Sequence, residues 1–246
     1  MDSGLLEQQK NAAQKQTWAA PELEFTVMPF IQTRPITDIS TSSAVTKAIQ
    51  HNKFIIFTSA HAVDAVFGLL RILPEFQQNN FPDWQIYCLA GKTREAVLKH
   101  MPASAITGLA DYGKDLAAKI VSDQRNNKAP EFTFFCGNIR MPTLPAMLKA
   151  GEISLEEIVV YNTFKTPIEI KEEYDGVLFF SPSAVESFFS INVLPAWTTV
   201  FSVGRTTTQA IEKYTKNKII TSSKPRASQV LAAVWKFYGH NATQWS

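Results

Sequence analysis

A chain of 246 residues with 45% hydrophobic and 19% charged residues can bury substantial cores, and that length accommodates two domains of about 120 residues each. Its net charge of +2 is too small to favour nucleic acid, and the longest apolar stretch, residues 54–73, is interrupted by His61, Asp64 and Arg71, which excludes a membrane span there. Cys88 and Cys136 lie in apolar strand-like runs as expected free thiols, the histidines are scattered, and neither CxxC nor HExxH occurs, so no metal is expected.

Met1-Asp2-Ser3-Gly4 opens without the basic region and apolar core of a secretory leader, and the chain is expected in the cytoplasm. Residues 4–16 are polar-rich and suit an exposed helix, and residues 24–30 read as a strand. Gln32-Thr33-Arg34-Pro35-Ile36 reads as an extended connector, because proline drives its predecessor out of helical geometry. A helix is expected over 42–50, a strand over 53–57, and a helix over 60–73 that stops before Pro74. A strand over 85–89, a helix over 92–100 and another over 113–122 follow. Next come a strand over 132–136, a helix over 143–150 ended by Gly151, and a strand over 157–163 that runs into a second connector, Phe164-Lys165-Thr166-Pro167. The last third repeats the plan, with strands over 176–180, 198–203 and 218–221 and helices over 184–192, 206–214 and 228–238.

Apolar strands alternating with amphipathic helices predict an α/β fold of parallel sheets covered on both faces. An internal echo divides it. Phe57-Thr58-Ser59-Ala60-His61-Ala62-Val63 returns as Phe180-Ser181-Pro182-Ser183-Ala184-Val185, and Gly91-Lys92-Thr93 returns as Gly204-Arg205-Thr206-Thr207. The repeat is too long for a solenoid unit and reads as two similar α/β domains with a small-molecule cleft between them. The connectors near residues 33 and 166 make one domain discontinuous, residues 1–33 with 167–246, and the other an insertion, residues 34–166.

Each hydroxyl-rich turn falls where a strand gives way to a helix. A Ser or Thr there can cap the helix, and the free amides of the first turn suit a carboxylate or phosphate. Ligands of open α/β sheets bind at these carboxyl ends. The Gly-Lys and Gly-Arg turns add charge and close backbone approach, but neither a Walker motif nor GxGxxG is present, so nucleotides are not favoured. Gly137-Asn138-Ile139-Arg140 is a further strand-end turn, weak on its own. Tyr161, at the end of Ile158-Val159-Val160-Tyr161-Asn162-Thr163, carries a phenol able to donate a proton to a leaving group.

Together Ile55-Ile56-Phe57-Thr58-Ser59-Ala60, Val160-Tyr161-Asn162-Thr163, Gly176-Val177-Leu178-Phe179-Phe180-Ser181-Pro182-Ser183-Ala184-Val185 and Val203-Gly204-Arg205-Thr206-Thr207 resemble uroporphyrinogen-III synthases, in order, over residues 24–237. The resemblance implies two domains joined by a two-stranded linker and a lyase of tetrapyrrole (haem) biosynthesis. Such an enzyme closes hydroxymethylbilane into a macrocycle, with loss of water and inversion of the terminal pyrrole ring, and uses no metal or organic cofactor. It also implies Tyr161 as the group assisting hydroxyl departure and Thr58, Ser59, Ser181, Ser183, Gly204, Thr206 and Thr207 as substrate contacts. The preceding deaminase becomes a candidate partner, and a monomer is expected. Some positions depart from the family: His61 stands where Asn or Pro is common, Cys136 where Arg often precedes the glycine, and Arg94 in a usual Thr slot. The family's opening strand, ending in Thr-Arg or Ser-Arg, is not evident before the first expected helix. The alternative reading is a non-catalytic, two-lobed polycarboxylate-binding or regulatory module of the same fold.

Overall fold

A computed structural model describes residues 14–17, 23–73, 83–125 and 131–241. The chain forms two compact units, an inner one of Thr33–Thr163 and a split one that joins Met1–Gln32 to Phe164–Ser246. The first strands, β1 (Gln14–Thr17) and β2 (Glu24–Val27), pair antiparallel from Gln14↔Val27 to Thr17↔Glu24. Residues 14–16 are therefore strand and not the end of a helix, and residues 4–13 of that expected helix lie outside the described residues. Ladder partners in β2 override the weak helical preference of Gln-Lys-Gln-Thr, a tertiary effect that local pattern does not register.

The inner unit continues through β3 (Ile31–Pro35), α1 (Ile39–His51), β4 (Phe54–Phe57), α2 (Ala60–Ile72), β5 (Gln85–Leu89) and α3 (Lys92–Leu98). It is completed by β6 (Ile106–Ala110), α4 (Gly113–Gln124), β7 (Phe132–Gly137), α5 (Thr143–Ala150) and β8 (Leu155–Lys165). The helix α1 starts before the expected residue 42 because Asp38 caps it, accepting from the Thr41 amide at 2.8 Å and the Thr41 hydroxyl at 3.0 Å. No strand was expected at β6, whose central Gly108 weakens the pattern. That glycine is required by packing, since a Cβ there would stand 2.2 Å from Cδ1 of Tyr87.

The strand order is β3-β8-β7-β4-β5-β6, and the pairings from β8 across to β6 are parallel. Alternate residues of each strand feed opposite cores. Ile55, Phe57 and Phe135 pack with Val45 of α1, Val63 and Phe67 of α2, and Val97 of α3. Ile56, Phe132 and Phe134 pack with Leu116 and Ile120 of α4 and Leu144 and Leu148 of α5. Helices thus cover both faces, which is why these strands read as continuous apolar runs.

The split unit adds β9 (Gly176–Phe179), α6 (Pro182–Phe188), β10 (Thr199–Ser202), α7 (Arg205–Ile211), β11 (Ile219–Thr221) and α8 (Ala227–Asn241). Its parallel sheet runs β11-β10-β9. Phe179 and Val200 pack against Val185 and Phe188 of α6 and Ile211 of α7 on one face, and Phe201 against Val230 and Val234 of α8 on the other. No helix among the described residues is long and apolar enough to cross a membrane.

Candidate functional site

Strand order marks a candidate site in the inner unit. From β4 the chain winds outward through β5 to β6, then returns to lay β7 on the other side of β4 and β8 beyond it. The switch point lies between the carboxyl ends of β4 and β7, the place where open α/β sheets bind ligands. Thr58 and Ser59 follow β4 there, and Gly137 and Asn138 end and follow β7.

Ser59 is in extended geometry, with φ −143 and ψ 137, and caps α2 by accepting from the His61 amide at 3.2 Å. Tyr161 reaches it from β8, and its phenol donates to Ser59 Oγ at 3.1 Å. The register between β7 and β8 shifts after Cys136, which brings Gly137 opposite Tyr161. That shift makes glycine mandatory, because a Cβ at Gly137 would stand 2.5 Å from Tyr161 Cζ and 2.8 Å from its hydroxyl oxygen. The His61 ring lies 5.7 Å from the Tyr161 ring, with Nδ1 3.4 Å from Thr33 Oγ1. Burial pushes the Tyr161 phenol above its ordinary value of 10.0, against the lowering effect of its bond to Ser59, so it is held in the protonated, donating form.

Asn138, read from sequence as part of a weak turn, ties this cluster together. Its amide donates to the Tyr161 carbonyl at 3.1 Å, and its side-chain oxygen accepts from the Thr163 amide at 2.7 Å and the Ile139 amide at 2.9 Å. The backbone on both sides of Tyr161's strand end is thereby fixed. The only sequence signal for this role was a Gly-Asn pair closing a strand. Arg140 is engaged by Glu157, Nε to Oε2 at 2.6 Å, which raises its pKa. Cys136 and Cys88 are buried free thiols, each pushed up to about 11 by burial. Beside β4, Gly91 adopts φ 72 at the start of α3, a conformation that favours glycine; Thr93 is buried and Lys92 exposed.

In the split unit the hydroxyl turn repeats. Ser181 caps α6, accepting from the Ala184 amide at 3.2 Å, and lies 3.1 Å from Ser183 Oγ. At the end of β10, Gly204 has open space where a Cβ would go, so no close packing within the protein demands glycine there. Thr206 is exposed and Thr207 buried at 1% exposure. Sequence reasoning missed Thr208, which binds Ser202 at 2.5 Å, Thr221 at 2.6 Å and the Gly204 carbonyl at 3.3 Å. These bonds clasp β10, β11 and α7 through hydroxyls that carry no pattern in the sequence. An open groove of about 1630 Å³ runs along β9, bordered by Phe25, Phe30, Phe179 and Trp235 with Glu172, Glu173 and Asp175. Its apolar lining and acidic rim suit a polyanion poorly. Among the described residues no group of three or more His, Cys, Asp or Glu is placed to hold a metal ion.

The sheet order and the helices on both faces define an α/β protein with a hydroxyl cluster at the switch point of its inner sheet. Residues 17–232 match the family described as uroporphyrinogen-III synthase HemD, and the chain belongs to that family. The fold is that of solved family members. A uroporphyrinogen-III synthetase from Helicobacter pylori is 16% identical with TM-score 0.61, over 90% of this chain and 95% of that one. A mutant uroporphyrinogen III synthase from the extremely thermophilic bacterium Thermus thermophilus is 14% identical with TM-score 0.60, over 86% of this chain and 88% of the other. Comparison with curated protein sequences returned no significant match. Family membership makes the chain a lyase of tetrapyrrole biosynthesis.

Proposed function

We propose that this chain closes hydroxymethylbilane to uroporphyrinogen III with acid assistance from the Tyr161–Ser59 pair. The observation that carries this reading is a buried phenol, 3.1 Å from a helix-capping hydroxyl, at the switch point of the inner sheet. Loss of hydroxide from an electron-rich pyrrole needs only modest proton donation, which a phenol can supply. The imidazole beside the phenol, His61, has its ring nitrogen 3.4 Å from Thr33 and not on Tyr161, so holding the reacting ends together must provide most of the rate. Such positioning can lower a barrier by about 7 kcal/mol or more.

In this reading Thr58 and Ser59 of the inner unit and Ser181, Ser183, Gly204, Thr206 and Thr207 of the split unit take the substrate's carboxylates through hydroxyls and strand-end amides. The exposure of Thr206 supports a direct contact, while the burial of Thr207 supports a role in shaping the turn. We further take residues 34–166 as one domain and residues 1–33 with 167–246 as the other, acting in the cytoplasm as a monomer that receives substrate from the preceding deaminase.

The test is a coupled assay that supplies hydroxymethylbilane, oxidises the products and separates the type I and type III isomers. Excess type III, lost on Tyr161→Phe while ligand affinity holds, supports the reading. Type I alone from folded protein returns the chain to the non-catalytic polycarboxylate-binding module, since uncatalysed closure gives type I.

A further inference from the structure

The hydrogen-bond inventory of Ser59 leads beyond acid assistance by Tyr161. A serine hydroxyl has one proton and two acceptor positions. At Ser59 both acceptor positions are filled from within the inner unit, by the Tyr161 phenol at 3.1 Å and the His61 amide at 3.2 Å. The single phenolic proton is thereby directed at Ser59, and the Ser59 proton is the one left to point outward. Exposure agrees with this. Tyr161 is 8% exposed, packed against Gly137 and beside the His61 ring, whereas Ser59 is only partly buried at the strand end.

We propose that Ser59, not Tyr161, hands the proton to the departing hydroxyl, and that Tyr161 resupplies Ser59 from behind; this rests on the reaction proposed above for the same cluster. The C–O bond breaks with its electron pair on oxygen, and the Ser59 proton turns that oxygen into water. The Tyr161 proton moves to Ser59 Oγ. The phenolate left behind is separated from the pyrrole cation by Ser59, 3.1 Å away. When the macrocycle closes, the proton lost from the attacking pyrrole carbon passes to Ser59 Oγ as the Ser59 proton moves back to the phenolate, so the cycle needs no co-reactant. Burial, which raises the Tyr161 pKa, keeps the phenol protonated until Ser59 gives up its own proton. Tyr161 is then a positioning and resupplying residue, and Ser59 the one that touches the reacting oxygen.

Ser59 also caps α2, so its replacement must preserve the cap. Asparagine caps as well as serine but has no hydroxyl to relay a proton, and threonine restores one. Type III formation and melting temperature are measured for Ser59→Asn, Ser59→Thr, Tyr161→Phe and the S59N/Y161F double variant. Ser59→Asn is expected to melt near the unmodified protein and to lose about a hundredfold or more in kcat, with KM rising far less than kcat falls. Ser59→Thr should stay within about tenfold, and the double variant should be no slower than the slower single variant, because both changes interrupt one transfer. Ser59→Asn at full kcat beside a disabled Tyr161→Phe, or losses that multiply in the double variant, would overturn the relay and leave Tyr161 as direct donor. Full kcat in both single variants would instead remove the cluster from the reaction, overturning the underlying reading as well. A check without variants is a single-turnover proton inventory on the unmodified protein. Two protons in flight curve the rate against deuterium fraction, and a straight line counts against the relay.

Discussion

Gly137→Ala tests the seat of Tyr161 without touching the phenol. The added Cβ would stand 2.5 Å from Cζ, 2.7 Å from Cε2 and 2.8 Å from the hydroxyl oxygen. Carbon atoms pack at about 3.5 Å or more, so the ring must withdraw by about 1 Å. Withdrawal along the bond to Ser59, now 3.1 Å, opens it to about 4 Å, beyond hydrogen-bonding range. The strain should cost about 1–3 kcal/mol, typical of overpacking in a filled interior. With Tyr161 in its proposed role, misplacing its phenol by about 1 Å should lower type III formation roughly a hundredfold. Urea denaturation reads the first quantity and the coupled isomer assay the second. Gly68→Ala serves as control: nothing lies within 4 Å of its would-be Cβ on the exposed side of α2, and alanine there should stabilise by about 0.5–1 kcal/mol with activity intact. Full activity and unchanged stability in Gly137→Ala would refute the steric account of how Tyr161 is held.

Gly108→Ala should destabilise by about 1–3 kcal/mol through its clash with the buried Tyr87 ring; equilibrium unfolding reads this, and a neutral result would mean that β6 yields. Asp38, held near 2 by its Ser40 and Thr41 hydrogen bonds, has a folded pKa below its ordinary 3.8. Its contribution is therefore full above the ordinary value and lost as pH falls towards about 2, so Asp38→Ala should flatten the acid limb of a stability–pH curve and leave the slope near neutral pH unchanged. Cys88 and Cys136, each raised to about 11 by burial, should resist iodoacetamide at pH 8 in the folded protein and both react after unfolding. Rapid labelling of the native chain would contradict their burial.

Much of the fold was legible because burial on both faces writes continuous apolar runs such as Phe54–Phe57 and Phe132–Gly137. The two serine turns were legible for the same local reason: a capping hydroxyl sits at a fixed offset from the helix it starts. Elements that depend on distant partners were not. The strand β1 exists through its ladder with β2, and β6 tolerates a central glycine because Tyr87 occupies the space of its side chain. Asn138 was undervalued because its partners, Tyr161 and Thr163, lie far along the chain. Thr208 escaped notice because hydroxyl clasps between strand ends leave no periodic signature. The switch point itself emerges only from strand order, which no single segment encodes.

That strand order also sets when the site can come into being. β4 pairs with β7 through Phe54↔Phe132, and Tyr161 meets Ser59 across 102 residues. Contacts of such long sequence separation form late and slowly, after local helices and neighbouring strands are in place. A refolding chain can therefore recover most of its helical signal while Tyr161 and Ser59 are still apart. The return of type III synthesis would report closure of the central sheet, which makes the reaction itself a clock for the last stage of folding.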